Sequence, residues 1–132
     1  MLLLTACVEK PQGVAQYAMP ITPLLQQEFQ QAETTYQNGQ LTTAALLYEK
    51  YIEQYPFNQL TNHAHYRLGE ILTRTGQFQE GLIHFQKTYS RSFDRYLGPM
   101  AMYKAAVTEY RLENFQASND ILQKIPHQHL RS

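Results

Sequence analysis

The chain has 132 residues and a mass of 15.4 kDa, which suits a single domain. Eleven Lys and Arg residues balance eleven Asp and Glu residues, so the net charge at pH 7 is zero. A neutral chain has no long-range attraction for nucleic acid or for an anionic membrane, so a general nucleic-acid-binding role is disfavoured. A hydrophobic share of 43%, with ten Tyr and six Phe, indicates a folded chain. The single cysteine excludes an internal disulfide framework and a zinc site of several cysteines.

The first seven residues combine a run of leucines with a small residue and a cysteine. The segment Leu4-Thr5-Ala6-Cys7 resembles the lipobox of bacterial lipoproteins, in which the cysteine sulfur is acylated and the cysteine becomes the first residue of the mature protein. The resemblance implies a membrane anchor of several acyl chains on Cys7. Because Val8 rather than Asp follows the cysteine, it also implies the periplasmic face of the outer membrane.

Only six residues precede the cysteine, fewer than the apolar stretch of roughly 7–15 residues in a complete signal peptide. Residues 1–6 are therefore predicted to be a truncated lipoprotein signal peptide. Residues 7–21 contain two prolines and a glycine without an apolar period, which predicts a flexible tether. The alternative is an ordinary apolar N-terminus with a buried cysteine. No later segment is apolar enough to predict a membrane span.

The rest of the chain repeats with a period of 37 residues. The segment Gly39-Gln40-Leu41 returns as Gly76-Gln77-Phe78 and again as Glu113-Asn114-Phe115. Small residues recur in the same register on both sides of this turn, and a large residue recurs four positions after the second small one. The register positions are Ala32, Gly69 and Ala106, then Ala44, Gly81 and Ser118, then Tyr48, Phe85 and Leu122.

This spacing predicts three helical hairpins, because small residues let two helices approach closely while a large residue fills the space beside them. The predicted helices span 22–37, 41–54, 60–74, 78–90, 99–112 and 115–125. Gly39 and Gly76 are expected to end the first helix of their hairpins in a left-handed turn. Glu113 at the third such position predicts a different or a strained turn. Gly98-Pro99 is expected to begin the fifth helix.

The pattern resembles the tetratricopeptide repeat (TPR), and it is nearly complete from Ala32 through Gly39, Leu41, Ala44 and Tyr48 to Pro56. The resemblance covers about residues 22–126, in repeats of about 22–58, 59–95 and 96–126, and leaves a tail at 127–132. It implies an all-α superhelix of three stacked hairpins whose first helices line a concave surface. An unrelated six-helix bundle is the alternative.

The concave surface of the TPR family binds protein or peptide partners, and the resemblance implies which residues face it. Several are Tyr or Phe, which supply the rigid contact area found at binding hot spots. Arg74 and Arg111 are equivalent by the 37-residue shift, and they could hold a carboxylate or line an extended peptide. Alternatively, some tyrosines seal the core between repeats. The predicted groove residues are Phe29, Glu33, Tyr36, His63, Tyr66, Glu70, Arg74, Tyr103, Tyr110 and Arg111; Met100 is also turned inward.

No catalytic or cofactor motif is found. The pairs His63/His65 and His127/His129 are two residues apart, which turns their rings to different sides of a helix and fits one metal ion poorly. There is neither a nucleophile elbow nor a phosphate-binding glycine loop. The chain is therefore expected to be non-enzymatic and to hold neither metal nor cofactor.

Lipobox and repeats together resemble three groups of envelope lipoproteins, those of the outer-membrane β-barrel assembly machine, the Tol-Pal coordinator and the penicillin-binding-protein activators. They predict a non-catalytic scaffold, lipid-anchored in the envelope, that binds a periplasmic protein or peptide and no nucleic acid. The alternatives are the N-terminal regulatory fragment of a penicillin-binding-protein activator and a soluble cytoplasmic TPR adaptor. Because few residues follow the sixth helix, a missing C-terminal domain or self-association at an uncapped end is also expected.

Overall fold

The computed structural model describes residues 19–92 and 94–126. Within these ranges all regular structure is α-helical and no strand is present, which confirms the predicted all-α arrangement of helical hairpins. The proposed signal segment, Cys7, most of the tether and the tail at 127–132 lie outside the described residues. The helices are α1 (Pro23–Gln37), α2 (Leu41–Gln54), α3 (Gln59–Arg74), α4 (Phe78–Arg91), α5 (Leu97–Arg111) and α6 (Phe115–Lys124).

Short polar side chains fix where three of the helices begin. Thr22 and Asn58 each accept a hydrogen bond from a backbone N–H in the first turn of α1 and α3. Asp94 Oδ1 accepts from the backbone N–H of Tyr96 at 2.7 Å and of Leu97 at 3.0 Å. The prediction that Gly98-Pro99 begins the fifth helix was therefore wrong, because Asp94 starts α5 two residues earlier and leaves the Gly-Pro pair inside its first turn.

All three hairpins turn through a left-handed residue. The φ angles are 77° at Gly39, 83° at Gly76 and 63° at Glu113. The prediction for the two glycines is confirmed. The third hairpin keeps the same turn rather than a different one, so Glu113 carries the steric strain of a Cβ in this region.

Replacing Glu113 by glycine is expected to raise the free energy of unfolding by about 0.5–1 kcal/mol, because the relief of Cβ strain exceeds the entropy gained by the unfolded chain. The matched change Gly76→Ala is expected to lower it by about 1 kcal/mol, since no atom lies within 4 Å of the new Cβ and only the backbone conformation resists it. Urea unfolding of both variants measures the two effects. A loss of stability in Glu113→Gly would contradict the strain.

The helices of the second hairpin approach closely at two glycines. A Cβ added to Gly69 would lie 2.6 Å from the Phe85 ring, and one added to Gly81 would lie 2.6 Å from Thr73 Cγ2. Phe85 fills the space that Gly69 leaves open and is almost completely buried. Two apolar clusters connect the hairpins: one lies between the first and second hairpins and the other between the second and third.

Candidate functional site

A cavity of about 270 Å³ lies where α1, α3 and the beginning of α5 face one another. Four predicted groove residues line it, and Met100 lines it as well. The remaining lining residues were not predicted, and two of them belong to the segment that leads into α5. The full lining is Phe29, Glu33, His63, Tyr66, Arg67, Asp94, Tyr96, Leu97 and Met100.

The other predicted groove residues lie outside this cavity. Tyr36 and Glu70 are joined by a hydrogen bond, from Tyr36 Oη to Glu70 Oε2 at 3.2 Å. Arg74 stacks over the Tyr36 ring at 5.5 Å. Tyr103 and Tyr110 are exposed on α5. The predicted set therefore divides into three groups. Some residues line the cavity, others form a polar cluster beside it, and Tyr103, Tyr110 and Arg111 are exposed on the last hairpin.

Arg67 is the centre of the polar cluster and was missed by the sequence prediction. Its Nε and Nη2 donate to the two carboxylate oxygens of Glu33 at 2.9 and 3.0 Å, and its Nη1 donates to Glu70 Oε2 at 2.9 Å. Lys104 Nζ lies 3.8 Å from the other oxygen of Glu70. The sequence signal that could have identified Arg67 is its position three residues before Glu70, which places the pair on one helix face.

Glu33 is held ionised by this cluster. Burial by itself raises the pKa of the Glu33 carboxyl, but hydrogen bonds from Arg67 and from the Tyr48 hydroxyl outweigh burial and lower the pKa below its ordinary value. Burial and the bond to Glu33 raise the pKa of Tyr48. The Glu33 carboxylate therefore has fixed hydrogen-bond partners in Arg67 and Tyr48, and the three side chains link α1, α2 and α3.

Replacing Arg67 by methionine is expected to lower the free energy of unfolding at neutral pH by about 1–2 kcal/mol, because two shielded carboxylates lose their partner. The lowered pKa of Glu33 contributes stability that is present above its ordinary pKa of 4.5 and is lost as the pH falls through the lowered value. The variant should therefore lose less stability on acidification below that pH. Urea unfolding at neutral and acidic pH measures both effects, and the exposed Arg91→Met is the control. Equal stability of the two variants would contradict a role for the pairing.

His63 lies in the cavity wall, which also contains the carboxylates of Glu33 and Asp94. Burial lowers the pKa of His63 and outweighs the opposite effects of Asp94 and Glu33. Backbone N–H groups of Leu97 and Tyr96 lower the pKa of Asp94. At neutral pH the wall thus combines a neutral imidazole, two carboxylates and the Arg67 guanidinium with three aromatic rings, a mixture suited to holding a side chain with an apolar body and a polar end.

Tyr66 belongs mainly to the core and only its edge borders the cavity. Its ring packs edge-to-face on Phe85, with centroids 5.8 Å apart, and its side chain is buried. Burial and the Glu70 charge raise the pKa of Tyr66 to about 12. At this position the alternative of a core-sealing tyrosine describes the structure better than an open groove contact.

A second polar pair, unanticipated from the sequence, joins α3 to α4. His65 Nδ1 lies 2.9 Å from His84 Nδ1, so one ring donates and the other accepts. His65 Nε2 is buried without a partner. A buried Nε2 costs less free energy without a partner when it carries only a lone pair than when it carries a proton. This favours the tautomer in which His65 Nδ1 carries the proton and donates it to His84 Nδ1. Burial and neighbouring positive charge lower the pKa of His65 to about 3 and of His84 to about 4.

Within residues 19–92 and 94–126, no three His, Cys, Asp or Glu side chains lie close enough to hold a metal ion. In the same ranges, no helix has the length and apolarity needed to cross a bilayer. No protein-family model, curated protein or solved structure matches the chain. The described residues define an all-α protein of three helical hairpins with an aromatic and ionic cavity between α1, α3 and the beginning of α5.

Proposed function

We propose that this protein is a non-catalytic interaction scaffold that binds an extended segment of a partner protein along the surface formed by α1, α3 and α5. The observation that supports this most directly is the cavity, because its walls come from all three of these helices. Its size suits one or two side chains of a partner. The exposed Tyr103 continues the aromatic surface along α5, so a bound segment would contact more than the cavity.

The chemistry of the walls favours a protein segment over a reacting small molecule. Glu33 and Glu70 are hydrogen-bonded to Arg67, and Asp94 accepts from two backbone N–H groups, so the charged groups of the wall already have fixed partners within the protein. Tyr96 and Met100 are exposed at the rim and offer large contact area with few polar requirements. Such residues are enriched at protein interfaces.

The groove is tested with peptides selected on the purified protein from a random displayed library. The double substitution Tyr96→Ala and Met100→Ala should weaken their binding at least about tenfold in fluorescence anisotropy, because it removes two rim contacts. Leu46→Ala with Ile83→Ala is the matched control, since these residues are as exposed as Tyr96 and Met100, 62% and 49% respectively, and lie on the second helices of their hairpins. Equal effects of the two double variants would refute the groove, as would a selection that yields no saturable binder.

The envelope location is part of the same proposal and is supported by the lipobox resemblance at Leu4-Thr5-Ala6-Cys7 and the TPR resemblance of the hairpins. We infer a scaffold in outer-membrane assembly or cell-wall synthesis, anchored through acylated Cys7. The alternatives are the regulatory N-terminal part of a penicillin-binding-protein activator and a soluble cytoplasmic adaptor. Because residues 1–6 are shorter than a complete signal peptide, the chain is tested behind an added basic and apolar leader segment, and palmitate labelling in a bacterial host is then expected for the wild type and not for Cys7→Ser. An unlabelled wild type would favour the cytoplasmic adaptor.

A further inference from the structure

Three large apolar side chains of the last hairpin are exposed. Tyr110 of α5 and Phe115 of α6 stack edge-to-face with ring centroids 5.1 Å apart, and both are more than half exposed. Leu122 is also exposed and lies seven residues after Phe115, about two helical turns, which places both residues on the same face of α6. These three residues are named the terminal patch. Large exposed apolar side chains that cluster in this way mark interaction surfaces.

The repeat register shows how the equivalent surface is used elsewhere in this chain. Leu122 is equivalent to Tyr48 and Phe85 by successive shifts of 37 residues. The exposed fraction is 0% for Tyr48, 1% for Phe85 and 41% for Leu122. In the first two hairpins a following helix packs on this position, α3 beside Tyr48 and α5 beside Phe85. Among the described residues, Leu122 has no such helix.

The two helices that provide this cover share one pattern. Each presents a leucine, an alanine four residues later, a leucine or alanine after four more, and a residue with a β-branched side chain after another three. The alanine allows close approach of the helix axes and the larger residues fill the space around it. The positions are Leu60, Ala64, Leu68 and Ile71 in α3, and Leu97, Ala101, Ala105 and Thr108 in α5.

The first helix differs from α3 and α5 at these positions. Its equivalents are Pro23, Gln27, Gln31 and Thr34, and all four are exposed. Polar residues here cannot replace the apolar cover that α3 and α5 provide. A second copy of the protein therefore does not offer the matching face through α1, which disfavours head-to-tail stacking of copies.

We propose that the terminal patch binds an amphipathic helix of a partner protein that carries the pattern Leu-x3-Ala-x3-(Leu or Ala)-x2-(Ile or Thr) on one face. This helix would pack on α6 as α3 packs on α2 and as α5 packs on α4, continuing an interface that the chain already forms twice. None of the three patch residues lines the cavity. The two surfaces can thus bind different segments.

The probe is a synthetic peptide with the sequence of residues 96–111 and blocked ends, because this segment of the chain already packs on the register-equivalent surface of α4. Saturable binding is expected, with NMR shift changes in α6. Leu122→Glu should weaken binding at least about tenfold by placing a charge at the contact. Leu46→Glu, an equally large change at an exposed leucine of α2, should leave the affinity unchanged.

A peptide variant tests the same contact without altering the protein. Arginines in place of its alanines at positions 101 and 105 should abolish binding, because the close approach of the helices is lost. The absence of binding by the unaltered peptide at concentrations of up to about 1 mM would overturn the proposal. So would equal affinity for wild type and Leu122→Glu, with melting used to verify that the variant is folded. Self-association of the wild type that Leu122→Glu abolishes would assign the patch to a second copy instead.

Discussion

Acidification from about pH 7 to about pH 4.5 is expected to lower the free energy of unfolding steeply, because the folded protein keeps His65 and His84 neutral. Burial is the main reason that their pKa values fall to about 3 and about 4, and the nearby Lys87 lowers both further. Histidine in the unfolded chain has a pKa of about 6.5. Below that pH the unfolded chain binds protons that the folded protein does not, so stability falls by up to about 1.4 kcal/mol per pH unit for each histidine.

The double substitution His65→Met and His84→Leu isolates this effect. At the position of His65 the third repeat holds Met102 and the first holds Glu28, and at that of His84 the other repeats hold Leu47 and Ile121, so the third repeat already carries an apolar pair in this seam. Urea unfolding at a series of pH values should show a much flatter dependence between about pH 6.5 and about pH 4.5. A parallel His63→Gln variant measures the share of that third histidine. An unchanged slope in the double variant would show that other groups drive acid unfolding.

Replacing Phe85 by alanine is expected to cost about 3–5 kcal/mol, because the ring is fully buried and the backbone around it cannot collapse into the space. Its neighbours are the α3 backbone at Gly69 and the ring of Tyr66. Domains of this size are stable by only about 5–15 kcal/mol, so the variant should unfold at low urea concentration. Ile83→Ala on the same helix removes an exposed side chain and should cost less than about 1 kcal/mol. Thermal and urea unfolding of the two variants give the comparison.

The contact between Phe85 and Gly69 also predicts non-additive substitutions. Gly69→Ala in the wild type forces a Cβ to within 2.6 Å of the Phe85 ring, so it should destabilise despite the better helix propensity of alanine. In the Phe85→Ala background the same Cβ enters vacated space, and the change should be neutral or stabilising. Additive free energies in this double-mutant cycle would mean that the two residues do not pack against each other.

The helices and turns could be predicted from the sequence because the residues that produce them act locally and recur in three repeats. The 37-residue register of small and large residues predicted the hairpins, and Gly39 and Gly76 predicted their left-handed turns. The beginning of α5 was mispredicted because two start signals lie close together. The Asp94 side chain caps the helix ahead of the Gly98-Pro99 pair, and only its hydrogen bonds to the backbone reveal this.

The candidate site could be predicted from the sequence only in part, since its residues come together from different helices. Arg67 and Glu33 are 34 positions apart, and His65 and His84 are 19 apart. Sequence spacing reports which residues share a helix face, but pairing between helices also depends on how each helix is rotated and on the side-chain rotamers. Along the chain His63 is the histidine nearest to His65, whereas in the structure the ring of His65 contacts His84.

Tyr66 and Tyr103 show what the sequence predicts and what only the tertiary structure determines. They are the same residue type at equivalent register positions, yet their exposed fractions are 5% and 53%. The sequence by itself determined that each lies on the first helix of a hairpin, because helical periodicity and turn residues act over a few positions. Only the tertiary structure decided which is core and which is surface, because burial depends on the neighbouring hairpin: Tyr66 is buried in one cluster with Leu97 and Ala101 of α5, whereas no helix follows the last hairpin among the described residues.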